Sequence, residues 1–277
     1  VAGQFGDLGL RVVSGVVMGL GALAAMLAGG IYATVLIALI AGAMMWEWRS
    51  ITLHHGMICG RDAFLPVMAC MAGVFIAHVE GTATGGLFVS CMSLAVTVID
   101  RLRGYEPPGG SQTPWGGLGV LFIGSSSVLF AGLRFFPEYG MENVLWVVLV
   151  VMGADIGGYF AGRLIGGPKL WPKVSPKKTW AGLAGGVILA FLIGGVFSWQ
   201  TQGTYFQEVC AVSALAALVA QGGDLMESGL KRRFGVKDSG TLIPGHGGVL
   251  DRLDGLMAAT LIAGGATFWR GEAVFIW

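Results

Sequence analysis

The stretch from Gln221 to Gly255 gathers Asp224, Glu227, Lys231, Arg232, Arg233, Lys237, Asp238, Asp251, Arg252 and Asp254 in a chain that is 55% hydrophobic and only 12% charged. Counted at about 100° per residue from Asp224, the side chains of Gln221, Glu227, Ser228 and Lys231 fall within about 60° of it on one helical face. Carboxylates, a hydroxyl and a lysine on one face suit an oxygen-seeking cation such as Mg2+, which takes one or two carboxylates and keeps positions for phosphate. After the glycine-proline link Pro244-Gly245-His246-Gly247-Gly248, a second helix opens with Asp251, Arg252 and Asp254. Dipole complementarity explains one carboxylate in that first turn; two beside an arginine are better explained by a cation and an anionic ligand.

Two upstream segments add to this inventory. Asp155 lies in the apolar run VLVVMGADIGGYFAGRLIGG. A carboxylate at that depth costs about 2.5–3.5 kcal/mol, so it needs a polar cavity or a helix-helix hydrogen bond. Tyr159 and Arg163 follow at i+4 and i+8 on the same face. The next segment, GGPKLWPKVSPKKTWAG, brings Lys169, Lys173, Ser175, Lys177, Lys178 and Thr179 to the start of a helix. Lysines and hydroxyls there suit phosphate, whether of a soluble ligand or of anionic lipid headgroups. The chain lacks GxSxG, HExxH and GxxxxGK[ST] motifs. What fits is phosphoryl or nucleotidyl transfer by in-line attack, driven by positioning and charge neutralisation.

The elements that must hold these residues are membrane helices. With a mean hydropathy of +0.74, 48 glycines and a charged share half that of soluble domains, the chain reads as an all-α polytopic integral membrane protein. Nine stretches suffice to cross a hydrocarbon core of about 30 Å: 11–28, 31–47, 63–79, 84–100, 117–136, 143–164, 180–199, 206–230 and 250–269. With the N-terminus cytoplasmic, fifteen of the seventeen lysines and arginines fall inside and only Arg134 and Arg270 outside, as the positive-inside rule requires. Trp46, Trp48, Trp171, Trp180, Trp199, Trp269 and Trp277 fall near expected interfaces, where indoles anchor. Residues 100–115, DRLRGYEPPGGSQTPW, read as a cytoplasmic loop, and His54, His55, Arg61 and Asp62 as another. Cys59, Cys70, Cys91 and Cys210 have no CxxC spacing and carry no assigned role. The first apolar run leads into further spans and does not read as a cleaved signal. A net charge of +1 gives no reason to expect nucleic acid. The chain divides into a scaffold, 1–140, and a catalytic part, 141–277. The glycines of the early spans suit a homodimer or packing within one chain equally.

Residues 228–254, SGLKRRFGVKDSGTLIPGHGGVLDRLD, resemble the signature of the phosphatidate cytidylyltransferases, the CDP-diacylglycerol synthases. QGGDLMES, SPKKTW and DIGGYFAGR resemble further motifs of that family in its order, so the resemblance covers about the last 125 residues, with the first half similar only in hydropathy. It implies transfer of a cytidylyl group from CTP to phosphatidate, with Mg2+, at the cytoplasmic face of the inner membrane among membrane lipids. It implies Asp224 and Asp251 as metal ligands and, with Lys231, as catalytic residues. Asp155, Ser175, Lys177, Lys178, Ser228, Lys237, Asp238, His246, Arg252 and Asp254 would bind substrate. Two alternatives stand beside it. A CTP-dependent lipid kinase, or a synthase using another lipid phosphate, differs in its products, and an ion-coupled transporter relaying through Asp155 and Asp224 would need no CTP.

Overall fold

The computed structural model describes residues 2–53, 60–104, 113–242 and 247–277, with side chains from 15 onward except at 60 and 61. The helices are α1 (Ala2–Ala28), α2 (Gly30–Thr52), α3 (Gly60–Glu80), α4 (Thr82–Leu102), α5 (Trp115–Gly119), α6 (Ser125–Arg134), α7 (Gly140–Leu164), α8 (Trp180–Gln200), α9 (Phe206–Arg233) and α10 (Leu250–Arg270). A π turn, Val120–Gly124, joins α5 to α6 as one rod. Of the nine expected spans, seven are, among the described residues, helices long and apolar enough to cross a membrane, and the chain is a multi-pass membrane protein. The first contributes the apolar stretch Gly15–Ala28. The last, α10, carries Asp251, Arg252 and Asp254 at its start. One non-helical element interrupts the pattern: β1 (Lys169–Trp171) and β2 (Ser175–Thr179) pair antiparallel in the expected basic loop.

Two compact units divide the chain. The first comprises residues 1–131 and 234–252. Short turns at Gly29 and Gly81, both at positive φ, reverse the chain between its helices. Its core holds Ile37, Met45, Val74, Val89, Val96 and Ile123. At one end of this unit the buried Arg49 makes a bidentate pair with Asp100, 2.9 and 3.1 Å. Asp100, read from sequence as the start of a loop, is in the last turn of α4; the proline and glycine that suggested a loop lie further on. Trp48 donates to the Trp115 carbonyl at 2.8 Å and is 3% exposed, so it is a packing residue and no interfacial anchor.

The second unit comprises residues 132–233 and 253–277. Its two ends differ chemically. At the N-terminal end of α7, Tyr139, Trp146 and Phe197 surround Phe275. There Arg270 stacks on Tyr205 and Trp277, which is buried as well. The charged end lies about 36 Å along the helix, at the rise of 1.5 Å per residue. Between the ends α7 and α8 pack backbone to backbone. A Cβ at Gly157 would lie 2.5 Å from the Gly185 carbonyl oxygen, and one at Gly186 2.5 Å from that of Ala154. Lipid supplies no hydrophobic drive between helices, so close approach over small residues supplies the attraction.

That contact is testable. Gly185→Val, whose Cβ would meet the Gly157 oxygen at 2.8 Å, is expected to destabilise by the full ~1–3 kcal/mol of an overpacked core or more. Gly265→Ala, with nothing within 4 Å, is expected to be neutral or to stabilise by about 0.5–1 kcal/mol. Thermal unfolding in detergent separates the two, and equal melting temperatures would refute the packing account.

Candidate active site

The close packing of α7 on α8 turns the Asp155 face of α7 toward the hairpin and α9. A cavity of about 440 Å³ opens there, lined by Asp155, Tyr159, Arg163, Lys177, Lys178, Gln221 and Asp224, with Leu170 and Leu183 among its apolar walls. Its size is within the ~300–1,000 Å³ of small-molecule sites. Thr179 ends β2 and starts α8: its hydroxyl accepts from the Gly182 amide at 3.0 Å. Threonine is a favoured residue at that position because its oxygen takes up an otherwise unpaired amide. The cap fixes where Lys177 and Lys178 leave the strand. Lys178 Nζ lies 2.6 Å from Asp224 Oδ2 and donates to the Gln221 carbonyl at 3.4 Å. Gln221 Nε2 in turn donates to Asp155 Oδ1 at 3.2 Å. Arg163 donates to the Tyr159 hydroxyl at 2.7 Å. Asp155 thus has both of the expected environments, a polar cavity and a helix-helix hydrogen bond.

Beside the cavity, three carboxylates from α9 and α10 converge. Asp224, Glu227 and Asp254 each offer an oxygen, and these oxygens lie within 4.8 Å of one another. Gly223 permits the approach of α10, since a Cβ there would stand 2.9 Å from the Asp254 carbonyl oxygen. Ser228 Oγ donates to Asp224 Oδ1 at 3.3 Å. Glu227, 2% exposed, is ion-paired at 2.6 Å with Lys231, 9% exposed. Like charges held this close destabilise one another unless compensated. Two lysines, Lys178 and Lys231, face three carboxylates, which leaves one formal negative charge. The donor set, all carboxylate oxygen with a hydroxyl alongside, fits a hard divalent cation.

The other expected residues are placed as follows. Asp251, in the first turn of α10, accepts from the Ser239 amide through both oxygens, 3.1 and 3.0 Å, and from the Gly248 amide at 3.0 Å. Among the described residues the gathered carboxylates include Glu227, while Asp251 is engaged with the link that precedes it. Lys237, Asp238 and Arg252 are exposed. Lys177 lines the cavity, whereas Ser175, at the start of β2, is half-buried outside that lining. His246 lies outside the described residues. Glu227 was visible in the sequence as part of the Asp224 face but carried no role. Glu47, described below, was passed over, although an acidic residue in an apolar span is itself a signal.

The family model described as the cytidylyltransferase family matches residues 9–266. The chain belongs to that family. It is 34% identical over 266 residues to the phosphatidate cytidylyltransferase of Brucella suis biovar 1 (strain 1330), a match covering 92% of each chain. Similarity to the phosphatidate cytidylyltransferase of Bacillus subtilis (strain 168) is 37% over 141 residues, 50% of this chain and 52% of that one. With that of Haemophilus influenzae (strain ATCC 51907 / DSM 11121 / KW20 / Rd) it is 45% over 130 residues, 44% of each. The family match takes in the early helices too, which by motif had resembled it only in hydropathy.

If the cavity receives a polyphosphate, Lys178→Met should weaken binding of tripolyphosphate to the purified protein about tenfold, ~1.4 kcal/mol. Lys169→Met, exposed and outside the lining, should stay within about twofold by the measure of ordinary surface changes. Titration calorimetry in detergent reads both, and unchanged affinity in the Lys178 variant would remove the cavity from the site.

Proposed function

We propose that this chain transfers the cytidylyl group of CTP to phosphatidate, giving CDP-diacylglycerol and pyrophosphate. The observation that carries this is the double membership of Asp224, which lines the basic cavity and also belongs to the carboxylate trio. A site that must hold a polyphosphate beside a cation needs both signs of charge at one place. Family membership supports the reading from a separate direction.

Mg2+ would be held by Asp224, Glu227 and Asp254, and when bound it would neutralise charge on phosphate oxygens. The chain's own residues position the reactants. Lys177, Lys178 and Arg163 bind phosphate groups in the cavity. Lys178 has three donors, two of them engaged by Asp224 and the Gln221 carbonyl, and the third serves a phosphate oxygen. An oxygen of the phosphatidate phosphate attacks the α-phosphorus of CTP, forming one P–O bond as the bond to the bridging oxygen of pyrophosphate breaks. No general base is required, because a phosphate monoester is already largely ionised near pH 7. Lysines and arginine facing the leaving pyrophosphate take up its developing charge. Ser228 orients Asp224, Lys231 orients Glu227, and Asp251 shapes the link from Ser239 to Gly248. Ser175, Lys237, Asp238, His246 and Arg252 are assigned to substrate binding on the resemblance of their motifs alone. The site faces the cytoplasm, where CTP is available and where the positive-inside count puts the basic segments. A homodimer is not needed for any of these roles.

The test is product analysis. Protein in detergent with phosphatidate, Mg2+ and CTP labelled in its α-phosphate is expected to yield a labelled lipid and one pyrophosphate per lipid formed. Release of CDP with label transfer from the γ-phosphate would replace the synthase with a kinase. Asp224→Asn should lower kcat by about a hundredfold or more, the scale of losing a charge-stabilising group, with the protein still monodisperse.

A further inference from the structure

We infer that Glu47, on α2 in the first unit, is a positioning residue for this reaction: its carboxylate fixes the link that carries Asp251. The inference rests on the reading above that the opening turn of α10 belongs to the site. Glu47 is 1% exposed in a helix apolar enough to span the membrane. A carboxylate is retained in such a place only where hydrogen bonds compensate it. Here they come from one short segment 192 to 203 positions away. Oε2 accepts from Ser239 Oγ at 3.1 Å and from the Leu250 amide at 2.8 Å, and Oε1 accepts from the Val249 amide at 3.0 Å.

The last two donors are amides at the start of α10, which have no partner within their own helix. Glu47 therefore caps α10 from another helix. The fit admits no side chain at Gly240 or Gly248, because a Cβ at Gly240 would lie 2.6 Å from Oε1 and one at Gly248 2.7 Å from Oε2. Ser239 is the connecting residue: its hydroxyl goes to Glu47 while its amide goes to both oxygens of Asp251. Gly248 adds its own amide to Asp251. α2 is itself immobilised at this end by the Arg49–Asp100 pair and the Trp48–Trp115 bond. A buried acid, a serine and an aspartate thus form one chain of hydrogen bonds, and Glu47 acts on the reaction only through the last of them.

Glu47→Gln keeps the size of the side chain but turns an NH2 group toward backbone amides that need an acceptor. In the purified full chain, amide exchange across residues 247–251, read by mass spectrometry, should quicken about tenfold or more. Turnover should fall about tenfold with the KM for CTP within twofold, since neither Glu47, Ser239 nor Asp251 is among the residues that line the cavity. Glu47→Asp should recover part of the rate, and Ser239→Ala should give a milder change in the same direction, which keeps the test open if Glu47→Gln folds poorly. Val89→Ala is the control: it opens a cavity in the buried core of the same unit without touching the link or the Arg49–Asp100 anchor, and should lower the melting temperature while leaving exchange over 247–251 at the wild-type rate. Wild-type exchange or wild-type turnover in Glu47→Gln would overturn the inference, as would identical exchange profiles in Glu47→Gln and Val89→Ala. Full activity in Asp251→Asn, with exchange still quickened in Glu47→Gln, would instead remove the α10 turn from the site and leave the tether as architecture alone.

Discussion

The charged side chains most deeply buried among the described residues are Glu47, Arg49, Glu227 and Lys231, and each must find its compensation inside the protein. Hydrocarbon offers none. Arg49 meets Asp100 with two parallel bonds, Lys231 meets Glu227 one helical turn away, and Glu47 meets a hydroxyl and two amides. The requirement works as a constraint on shape, because a buried charge tolerates few arrangements of its neighbours. In water a surface ion pair of this kind contributes about 0–1 kcal/mol. Removing one partner of a buried pair costs about 3–5 kcal/mol, so these contacts specify geometry far more strongly than exposed pairs do.

The second constraint is the close approach of α7 and α8. Gly157, Gly185 and Gly186 leave no space for side chains between the two backbones. Bulk on that face would turn Asp155, Tyr159 and Arg163 away from the hairpin. The apolar contact and the polar cavity are therefore two sides of one helix. Small residues face the partner helix and ionisable ones face the opening, and Thr179 caps α8 where the two meet.

Periodicity and charge made much of this legible from sequence. The helices, the shared face of Gln221, Asp224, Glu227, Ser228 and Lys231, and the Asp155 face all follow from counting at 3.6 residues per turn. What stayed hidden depends on long-range contact. Glu47 bonds residues 192 to 203 positions away, a relation that no local pattern encodes. The hairpin at 169–179 was concealed because Pro172 and Pro176 break the alternation by which strands are recognised. Trp48 and Trp277 sat where interfacial indoles are expected, but each is itself buried against protein. Whether a tryptophan at a helix end faces lipid or protein depends on its neighbours, which the sequence does not list.

Asp251 and Asp254 show why spacing alone does not assign roles. Three residues apart in one helical turn, they differ in direction by about 60°, and that is enough to send them to different partners. Asp251 turns back to the amides of Ser239 and Gly248, while Asp254 joins Asp224 and Glu227. Because a helical turn is rigid, the two directions are not independent. Whatever sets the rotation of the first turn of α10 about its axis sets both. The amides of Val249 and Leu250, bonded to Glu47, lie immediately before that turn. A residue on the second helix of the chain therefore holds the segment from which Asp251 points, and a motif that is C-terminal in sequence is anchored by an early helix.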